Sequence, residues 1–313
     1  MRYVRQERFI GKEKQKLLSK KTVSVVGLGA LGSVSSELLV RSGVKELILI
    51  DRDFIELSNL PRQNLFSEKD IGKSKALVLK EKFNDINKEV KINAFFDNLD
   101  SDNIDLIKSD LILDCTDNLE TRFLINEYCV KFKIPFIYSS AIGDSGYLFN
   151  IFPDNTCFNC IFKEVSGLDS CETFGVLNSI THLIASLQVS EALKILTKQE
   201  YEKKLIYINL TNNELLKIKV NRNKDCKVCN KKIFEYLTGE KKKEIIKFCG
   251  SSSYLFKGNF DLDKLKNKLR NEKLFFNENT IHFENIIIFE NKVLIKAKSE
   301  KEAKSLYSRY IGD

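Results

Sequence analysis

The sequence predicts an α/β fold with a doubly wound, mainly parallel β-sheet, followed by a small α+β domain. Two observations indicate this fold. Short apolar strands alternate with helical segments over roughly the first half of the chain, and a glycine-rich turn directly follows the first strand. At 313 residues, the chain is long enough for one large and one small domain. We predict domains at residues 1–237 and 238–313.

The predicted elements of the larger domain follow one another as such a sheet requires. A β-branched strand, TVSVV, leads into the turn GLGALGS and a helix that ends at Gly43. Further strands and helices are predicted in the segments ELILID, KSKALVLKEKFNDIN, VKINAFF, DLILDCTDN, LETRFLINEYCVKF and PFIYSSA. A ligand crevice is expected beyond the carboxyl ends of the parallel strands. The polar or small residues at these ends are Gly29, Asp51, Asp53 and Asp117.

The pattern changes after the last of these strands. We predict a strand GYLFNIF, a loop PDNTCFNC, a long helix from about Leu177 to Thr197, and strands KLIYINL and ELLKIKV. A lysine-rich linker at residues 241–243 precedes the small domain. Its predicted strands are YLFK, KLFF, NIIIF and KVLIKA, and its predicted helices are DLDKLKNKLRN and SEKEAKSLYSRYI.

The composition is that of a globular protein, with 43% hydrophobic and 30% charged residues. The net charge is +8, but the lysines are interleaved with acidic residues, which is typical of solvated helix faces rather than a nucleic-acid surface. The charged N-terminus does not resemble a signal peptide, and no apolar run could cross a bilayer. We therefore expect a cytoplasmic protein whose eight cysteines serve as metal ligands, nucleophiles or core residues rather than disulfides.

Gly27, Gly29 and Gly32 match the pattern G-x-G-x-x-G between a strand and a helix. Such a turn lets a phosphate or ribose approach the backbone at a helix N-terminus, as in a Rossmann-like fold. Asp51 follows at about the distance where an acidic residue meets ribose hydroxyl groups, about 20 residues on. These residues indicate an adenine-nucleotide site; the alternative is a turn that serves packing alone.

Arg62, Lys75 and Asp117 favour a triphosphate over a dinucleotide. Two cations beyond the glycine turn suit the charge that grows on a leaving pyrophosphate, and Asp117 offers a hard oxygen ligand for Mg²⁺. Taken singly, each has another explanation: a surface ion pair for Arg62, a helix-surface charge for Lys75, and a helix N-cap for Asp117. Their shared place in the crevice favours the functional interpretation.

Two C-x-x-C pairs, Cys157/Cys160 and Cys226/Cys229, supply the four soft ligands of a closed structural Zn²⁺ site. The separation of the pairs exceeds that of a zinc ribbon, so the metal would join the two ends of one subdomain. Four unrelated buried or redox cysteines are the alternative. Cys115, Cys129 and Cys249 are predicted to be small core residues. Of the two histidines, His182 is expected to be buried or at a dimer interface.

The segments RYVRQERFIG, VVGLGALGS, LIDRD, LSNLPRQ, GKSKA, LILDCTDN and SLQVSEALKIL resemble the ThiF/MoeB/HesA family, relatives of the ubiquitin-activating enzymes. The resemblance covers residues 1 to about 235 in the order of the family. It implies an enzyme that uses ATP and Mg²⁺ to adenylate the C-terminal glycine carboxylate of a small ubiquitin-like protein, with release of pyrophosphate. A carboxylate is ionised at neutral pH, so this reaction requires no general base.

The resemblance also implies roles for individual residues. Arg62, Lys75, Asp117, Arg5 and Cys171 would be catalytic, with Arg5 reaching the ATP of the other subunit of a homodimer. Asp117 would hold Mg²⁺. The nucleotide would be bound by Gly27, Gly29, Ala30, Gly32, Asp51, Asp53, Ser58, Asn59, Arg62, Gln63, Lys75, Asp117 and Asn118. Cys171 would form a persulfide or thioester, or be merely structural, because Thr173 and Phe174 depart from the usual family motif around it.

The expected partner is a small ubiquitin-like sulfur carrier ending in Gly-Gly, with a sulfurtransferase as a further partner. The carrier would serve molybdopterin, thiamine or tRNA-thiolation chemistry. Other carboxylates remain open as substrates, namely a small peptide or a tRNA-bound threonylcarbamoyl group. Two further classes are an NAD-dependent oxidoreductase and a non-catalytic scaffold. The LPRQ loop, Lys75 and the cysteine pairs favour the adenylating enzyme over both.

Overall fold

The structure is a computed structural model. It describes residues 2–162, 175–242, 245–247, 253–270, 274–277, 280–290 and 292–312. The chain divides into two compact units, Met1–Lys241 and Lys242–Asp313. This division falls four residues beyond the boundary predicted from the sequence, within the lysine-rich stretch expected to be a linker.

A single eight-stranded sheet forms the centre of the first unit. In chain order, its strands are β1 (Thr22–Val26), β2 (Glu46–Asp51), β3 (Lys91–Phe96), β4 (Leu111–Asp114), β5 (Phe136–Ile142), β6 (Ser145–Ile151), β7 (Leu205–Asn209) and β8 (Glu214–Ile218). Their spatial order is β3-β2-β1-β4-β5-β6-β7-β8. The first five of these pair in parallel and the last three antiparallel. The predicted mainly parallel, doubly wound sheet is confirmed.

Helices cover both faces of this sheet. They are α1 (Val4–Ile10), α2 (Lys12–Leu18), α3 (Gly32–Ser42), α4 (Lys75–Ile86), α5 (Leu119–Phe132), α6 (Phe158–Ile161) and α7 (Asn178–Leu196). In β2, Leu47 and Leu49 pack with residues of α3, α4 and α7, whereas Ile48 and Ile50 pack with α5 on the opposite face. A strand buried on both faces has this continuous apolar sequence.

The second unit has its own antiparallel sheet and apolar core. Its strands are β9 (Ile245–Lys247), β10 (Ser253–Lys257), β11 (Phe275–Asn277), β12 (Thr280–Phe283), β13 (Ile286–Ile288) and β14 (Lys292–Lys296), and its helices are α8 (Leu262–Lys268) and α9 (Glu300–Tyr310). The spatial order is β11-β12-β13-β14-β10-β9. This confirms the predicted small α+β domain, although β9 and β12 were not predicted.

The helices of the described ranges include none that combines the length and apolar character required to span a bilayer.

Candidate nucleotide site and cysteine cluster

Three glycines shape the turn between β1 and α3. Gly27 has a φ of +85°, and a Cβ atom there would lie 2.7 Å from the carbonyl oxygen of Cys115. A Cβ atom at Gly32 would lie only 1.8 Å from the carbonyl oxygen of Gly27. At Gly29, by contrast, a Cβ atom would meet only Gln63 Nε2, at 3.6 Å. Packing therefore explains Gly27 and Gly32, whereas Gly29 leaves the outer side of the turn open to a ligand.

Asp51, at the end of β2, ties this turn to the neighbouring strand. One carboxylate oxygen accepts a hydrogen bond from the Leu28 N–H at 2.5 Å, and the other accepts one from the Asp53 N–H at 2.6 Å. Burial raises the pKa of the Asp51 carboxyl group to about 6, an effect that Lys75 opposes and the charge of Asp53 reinforces. The carboxylate keeps lone pairs for the hydroxyl groups of a ligand.

We expect Asp51 to titrate near pH 6 in the protein. Its folded pKa lies above the ordinary value of 3.8, so its contribution favours the folded state below about pH 4 and is lost as the pH rises through about 6. Carboxyl-carbon NMR of aspartate-labelled protein measures this titration. Replacing Lys75 by Met should raise the pKa of Asp51 further, because Lys75 is the main group that lowers it. An unchanged or lower pKa in that variant would contradict this electrostatic account.

Lys75, the first residue of α4, lies beside these carboxylates. Its Nζ atom is 3.2 Å from Asp53 Oδ2, and the residue is only 5% exposed. The N-cap of α4 is Ser74, whose hydroxyl oxygen accepts a backbone hydrogen bond from the first turn. Burial alone would lower the pKa of Lys75, but the charges of Asp53, Asp51 and Asp117 outweigh burial and raise it. The ammonium group is therefore charged at neutral pH.

The loop before α4 carries the predicted residues Ser58, Asn59 and Arg62. Arg62 Nη1 donates a hydrogen bond to the Ser58 carbonyl at 2.9 Å, and its side chain is partly exposed. Asn59 is buried, and its side-chain oxygen accepts a hydrogen bond from the Glu56 N–H at 3.1 Å. Asn59 therefore shapes the loop, whereas the partly exposed guanidinium of Arg62 is the group suited to an anionic ligand.

Gln63 lies against the glycine turn. It is 3% exposed, and within the described part of the chain its Oε1 atom is buried without a hydrogen-bond partner. Its Nε2 atom is the group nearest to the open position at Gly29. Buried polar groups without a partner are rare, and one beside an open turn indicates that a ligand or water completes the site. These observations fit a nucleotide at Gly29.

Asp117, after the end of β4, is exposed and its charge acts on Lys75. The structure excludes a helix N-cap as the explanation for Asp117. Asn118, not Asp117, is the N-cap of α5, because its side-chain oxygen accepts a hydrogen bond from the Thr121 N–H at 2.8 Å. The alternative interpretation of Asp117 as an N-cap was therefore wrong, and the capping role of Asn118 was not predicted. Asp117 therefore does not cap α5.

Asp114, the other acidic residue of this segment, has a different environment. It is fully buried, and its Oδ1 atom accepts hydrogen bonds from the N–H and hydroxyl groups of Thr116 at 3.0 and 2.7 Å. Burial raises the pKa of the Asp114 carboxyl group, although Arg122, with Nε 3.8 Å from Oδ2, opposes the shift. Arg122 also donates to the Thr116 carbonyl and lies over the Tyr138 ring. The contacts among Asp114, Thr116 and Arg122 therefore support the loop that carries Asp117.

Gln188 is a residue that the sequence analysis missed. It is fully buried on α7, and its side-chain oxygen accepts hydrogen bonds from Ser35 Oγ at 2.8 Å and Cys115 Sγ at 3.2 Å. Its Nε2 atom donates to Ser139 Oγ at 2.9 Å. Burial and the charge of Asp114 raise the pKa of Cys115 to about 12, so this thiol is unreactive. The sequence signal that could have identified Gln188 is its place as a lone glutamine in the apolar helix segment SITHLIASLQV.

The remaining predicted residues lie outside this group of side chains. Arg5 is exposed on α1, and its role toward a second subunit stays a prediction. His182 is partly exposed, with Nδ1 2.7 Å from the Asn178 carbonyl oxygen, so it is not buried, and its place at a dimer interface stays a prediction. Cys171 lies outside the described residues, as does Cys249. Cys115 and Cys129 are buried, as predicted.

The two C-x-x-C pairs meet in one cluster. Their four Sγ atoms all lie within 4.8 Å of one another. Three of the distances are 3.8 Å for Cys157–Cys160, 3.6 Å for Cys157–Cys226 and 3.5 Å for Cys160–Cys229. Four thiolates at zinc–sulfur distances of about 2.3 Å in a tetrahedron would be about 3.8 Å apart. The donor atoms and their spacing therefore fit a structural zinc ion.

Two side chains of α5 bind the segment between Cys157 and Cys160 and the segment that follows the second cysteine pair. Asn126 accepts a hydrogen bond from the Phe158 N–H at 2.9 Å and donates one to Asn159 Oδ1 at 2.7 Å. Glu127 is 2% exposed and accepts hydrogen bonds from the N–H groups of residues 236–237 at 2.9 and 2.8 Å. The helix that begins beside Asp117 thus also supports both ends of the cysteine-bearing subdomain.

Residues 3–228 match the ThiF family. The chain belongs to this family. It is 35% identical over 283 residues to the sulfur carrier protein ThiS adenylyltransferase of Bacillus subtilis, with 86% of this chain and 84% of that protein covered. It is also 35% identical over 224 residues to the vegetative protein HesA of Trichormus variabilis, covering 70% and 84%. The structure of E. coli MccB with ATP matches with a TM-score of 0.66 and 26% identity, covering 74% of each chain.

This membership confirms the resemblance drawn from the sequence motifs. The protein is an adenylyltransferase of the ThiF family. The match to the B. subtilis protein is longer than the first unit, so it includes part of the second unit as well.

Proposed function

We propose that this protein adenylates the C-terminal glycine carboxylate of a ubiquitin-like sulfur carrier, using ATP and releasing pyrophosphate. The main support is the charged, buried ammonium group of Lys75, which lies beside Asp53 and interacts with Asp51, the residue that binds the open glycine turn. A fixed cation at this place suits a triphosphate whose leaving group gains negative charge. The name of the B. subtilis relative supports a carrier as the acceptor.

In this proposal, the chain positions two reactants rather than activating a nucleophile. The carrier carboxylate is already ionised, so the barrier arises from its repulsion by the α-phosphate. Lys75 and Arg62 would offset that charge, and Asp51 would accept hydrogen bonds from the ribose. Gln63 would close the turn over the nucleotide. Asp117 would hold Mg²⁺, whose charge would further neutralise the phosphates.

Further assignments of residues and partners belong to the proposal. Cys157, Cys160, Cys226 and Cys229 would hold a structural zinc ion. The active enzyme would be a homodimer in which Arg5 of one copy reaches the nucleotide of the other. A sulfurtransferase would be a further partner. Cys171 would form a covalent sulfur or acyl adduct or serve the structure alone, and the carrier's pathway would be that of molybdopterin, thiamine or tRNA thiolation.

Replacing Arg62 by Ala should lower the rate of carrier-dependent ATP–pyrophosphate exchange about 100-fold, the effect of removing one charged phosphate contact. Stability should change by no more than about 1 kcal/mol, because the side chain is partly exposed and donates to one loop carbonyl. Arg41→Ala is the matched control, since Arg41 is an exposed arginine paired with Glu37 on α3. Equal losses in both variants would contradict a role of Arg62 at the phosphates.

The substrate is tested by the same exchange reaction with a panel of acceptors. It contains ubiquitin-like carriers ending in Gly-Gly, a short peptide and threonylcarbamoylated tRNA. We expect exchange with at least one carrier and with neither other acceptor. Exchange only with the peptide or the tRNA would transfer the proposal to that carboxylate. Binding of NADH without binding of ATP would support an oxidoreductase instead.

A further inference from the structure

Asp53 contacts Lys75 through both its side chain and its backbone. Its Oδ2 atom lies 3.2 Å from Lys75 Nζ, and its carbonyl oxygen accepts a hydrogen bond from the Lys75 N–H at 3.1 Å. Its own N–H donates to Asp51 Oδ1 at 2.6 Å. The backbone of Asp53 is thereby held on both sides, which fixes its carboxylate beside the ammonium group.

The two charges of this pair differ in their exposure to solvent. The Asp53 side chain is 27% exposed, whereas that of Lys75 is 6% exposed. Arg52 Nε lies 3.9 Å from the other carboxylate oxygen of Asp53, so that carboxylate has a second cation close by. Asp53 can therefore give up part of its interaction with Lys75 at a smaller desolvation cost than a fully buried carboxylate.

A polyphosphate bound at the glycine turn would approach the same ammonium group. An ammonium group has three N–H donors, so it can serve a carboxylate and a phosphate together. The carboxylate of Asp53 would nevertheless repel the phosphates, because like charges a few ångströms apart interact unfavourably near a protein surface. Asp53 therefore has two opposite effects. It holds the ammonium group of Lys75 in place, and its charge weakens the binding of the polyphosphate that Lys75 attracts.

We propose that Asp53 is a positioning residue that holds the ammonium group of Lys75 at the glycine turn and limits the affinity for the polyphosphate, and that it is not itself a ligand of the nucleotide or its metal. This assignment rests on the proposed binding of ATP. It differs from the role in nucleotide binding that the family resemblance implied for Asp53.

The ion pair is tested first without nucleotide. The carboxylates that act on Lys75 are Asp53, Asp51 and Asp117, and Asp53 has the largest effect among them. Asp53→Asn should therefore lower the pKa of Lys75. Acetylation of Lys75 by acetic anhydride, followed over pH by mass spectrometry, should become about tenfold faster near pH 8 for each unit that the pKa falls. An unchanged pH profile would show that Asp53 is not the counter-ion.

The effect on the ligand is tested by calorimetry with ATP and Mg²⁺. Asp53→Asn should bind ATP about fivefold more tightly than the unaltered protein, which corresponds to removing one partly exposed like charge. In a Lys75→Met background, Asp53→Asn should tighten ATP binding at least as much, because the repulsion between Asp53 and the phosphates remains after the cation is lost. The matched control is Asp110→Asn, which removes a carboxylate paired with Lys21 at 2.7 Å and should leave the affinity unchanged.

Loss of affinity in Asp53→Asn would overturn the proposal. A loss seen only with Mg²⁺ would make Asp53 a metal ligand, and a loss with or without Mg²⁺ would make it a nucleotide contact or a structural residue. If the unaltered protein bound no ATP, the proposed function and the effect on polyphosphate would both fail. The labelling profile would still decide whether Asp53 is the counter-ion of Lys75.

Discussion

Lys75→Met is expected to lower carrier-dependent ATP–pyrophosphate exchange by about 1,000-fold, the upper end of the effect of removing one preorganised charged group. Methionine has a similar length and can occupy a buried position, so the packing of α4 is largely retained. The substitution removes the fixed positive charge beside Asp53, which also acts on Asp51, the residue that binds the glycine turn. Because this charge acts most strongly on the leaving pyrophosphate, the loss should fall mainly on kcat.

The same substitution leaves Asp53 and Asp51 without their principal cation. Breaking a buried ion pair costs about 3–5 kcal/mol, and the 27% exposure of the Asp53 side chain should reduce that cost. The double variant Lys75→Met/Asp53→Asn removes both charges and should fold with near-normal stability, yet remain inactive. Recovery of exchange in the double variant would show that Lys75 serves folding rather than phosphate chemistry. Circular dichroism and urea unfolding establish the folded state of each variant.

Cys226→Ser is expected to abolish stoichiometric zinc binding and to lower the melting temperature substantially. A structural zinc ion contributes directly to folding, with apparent binding free energies of about 10–16 kcal/mol in small peptides. In this chain, the metal would join the segment after β6 to the segment after β8, about 70 residues apart in sequence. Metal analysis and thermal unfolding with and without a strong chelator measure both effects.

The matched control is Cys129→Ser, which places a hydroxyl group at another buried cysteine outside the cluster. It should lose about 1–3 kcal/mol through burial of a polar group while retaining zinc and its response to the chelator. The zinc assignment would be contradicted if freshly purified protein contained far less than one zinc ion per chain. It would equally be contradicted if Cys226→Ser and Cys129→Ser lost the same stability and neither responded to chelation.

Much of the fold could be predicted because local signals agree with tertiary packing. Helix α5 has the bounds expected from the segment LETRFLINEYCVKF, since Asn118 caps its start and Lys133 takes a left-handed conformation at its end. The parallel strands were predictable because they are buried on both faces and therefore apolar throughout. The glycine turn, Asp51 and Asp117 could be assigned to one edge of the sheet because they follow the ends of parallel strands, and the charge of Lys75 interacts with both Asp51 and Asp117.

Other features depend on contacts that a local pattern does not reveal. The N-terminal helices α1 and α2 were not predicted, and α1 is anchored by long-range contacts, such as the 2.7 Å hydrogen bond between Asn87 and Tyr3. The antiparallel direction of β6 does have a local signal, because only Gly143 and Asp144 separate it from β5. The different environments of Asp114 and Asp117 arise partly from Arg122 on α5, which becomes a neighbour of Asp114 only after this helix has packed on the sheet.

The most direct test of the central claim is the intact mass of the carrier after incubation with this protein, ATP and Mg²⁺. We expect the mass of a carrier ending in Gly-Gly to increase by one adenylyl group, and the adduct to disappear on mild base treatment, as an acyl phosphate should. The same carrier with an amidated C-terminus should remain unmodified. Failure of every free-carboxylate carrier to gain the adenylyl group, or its addition to the amidated carrier, would contradict the proposal.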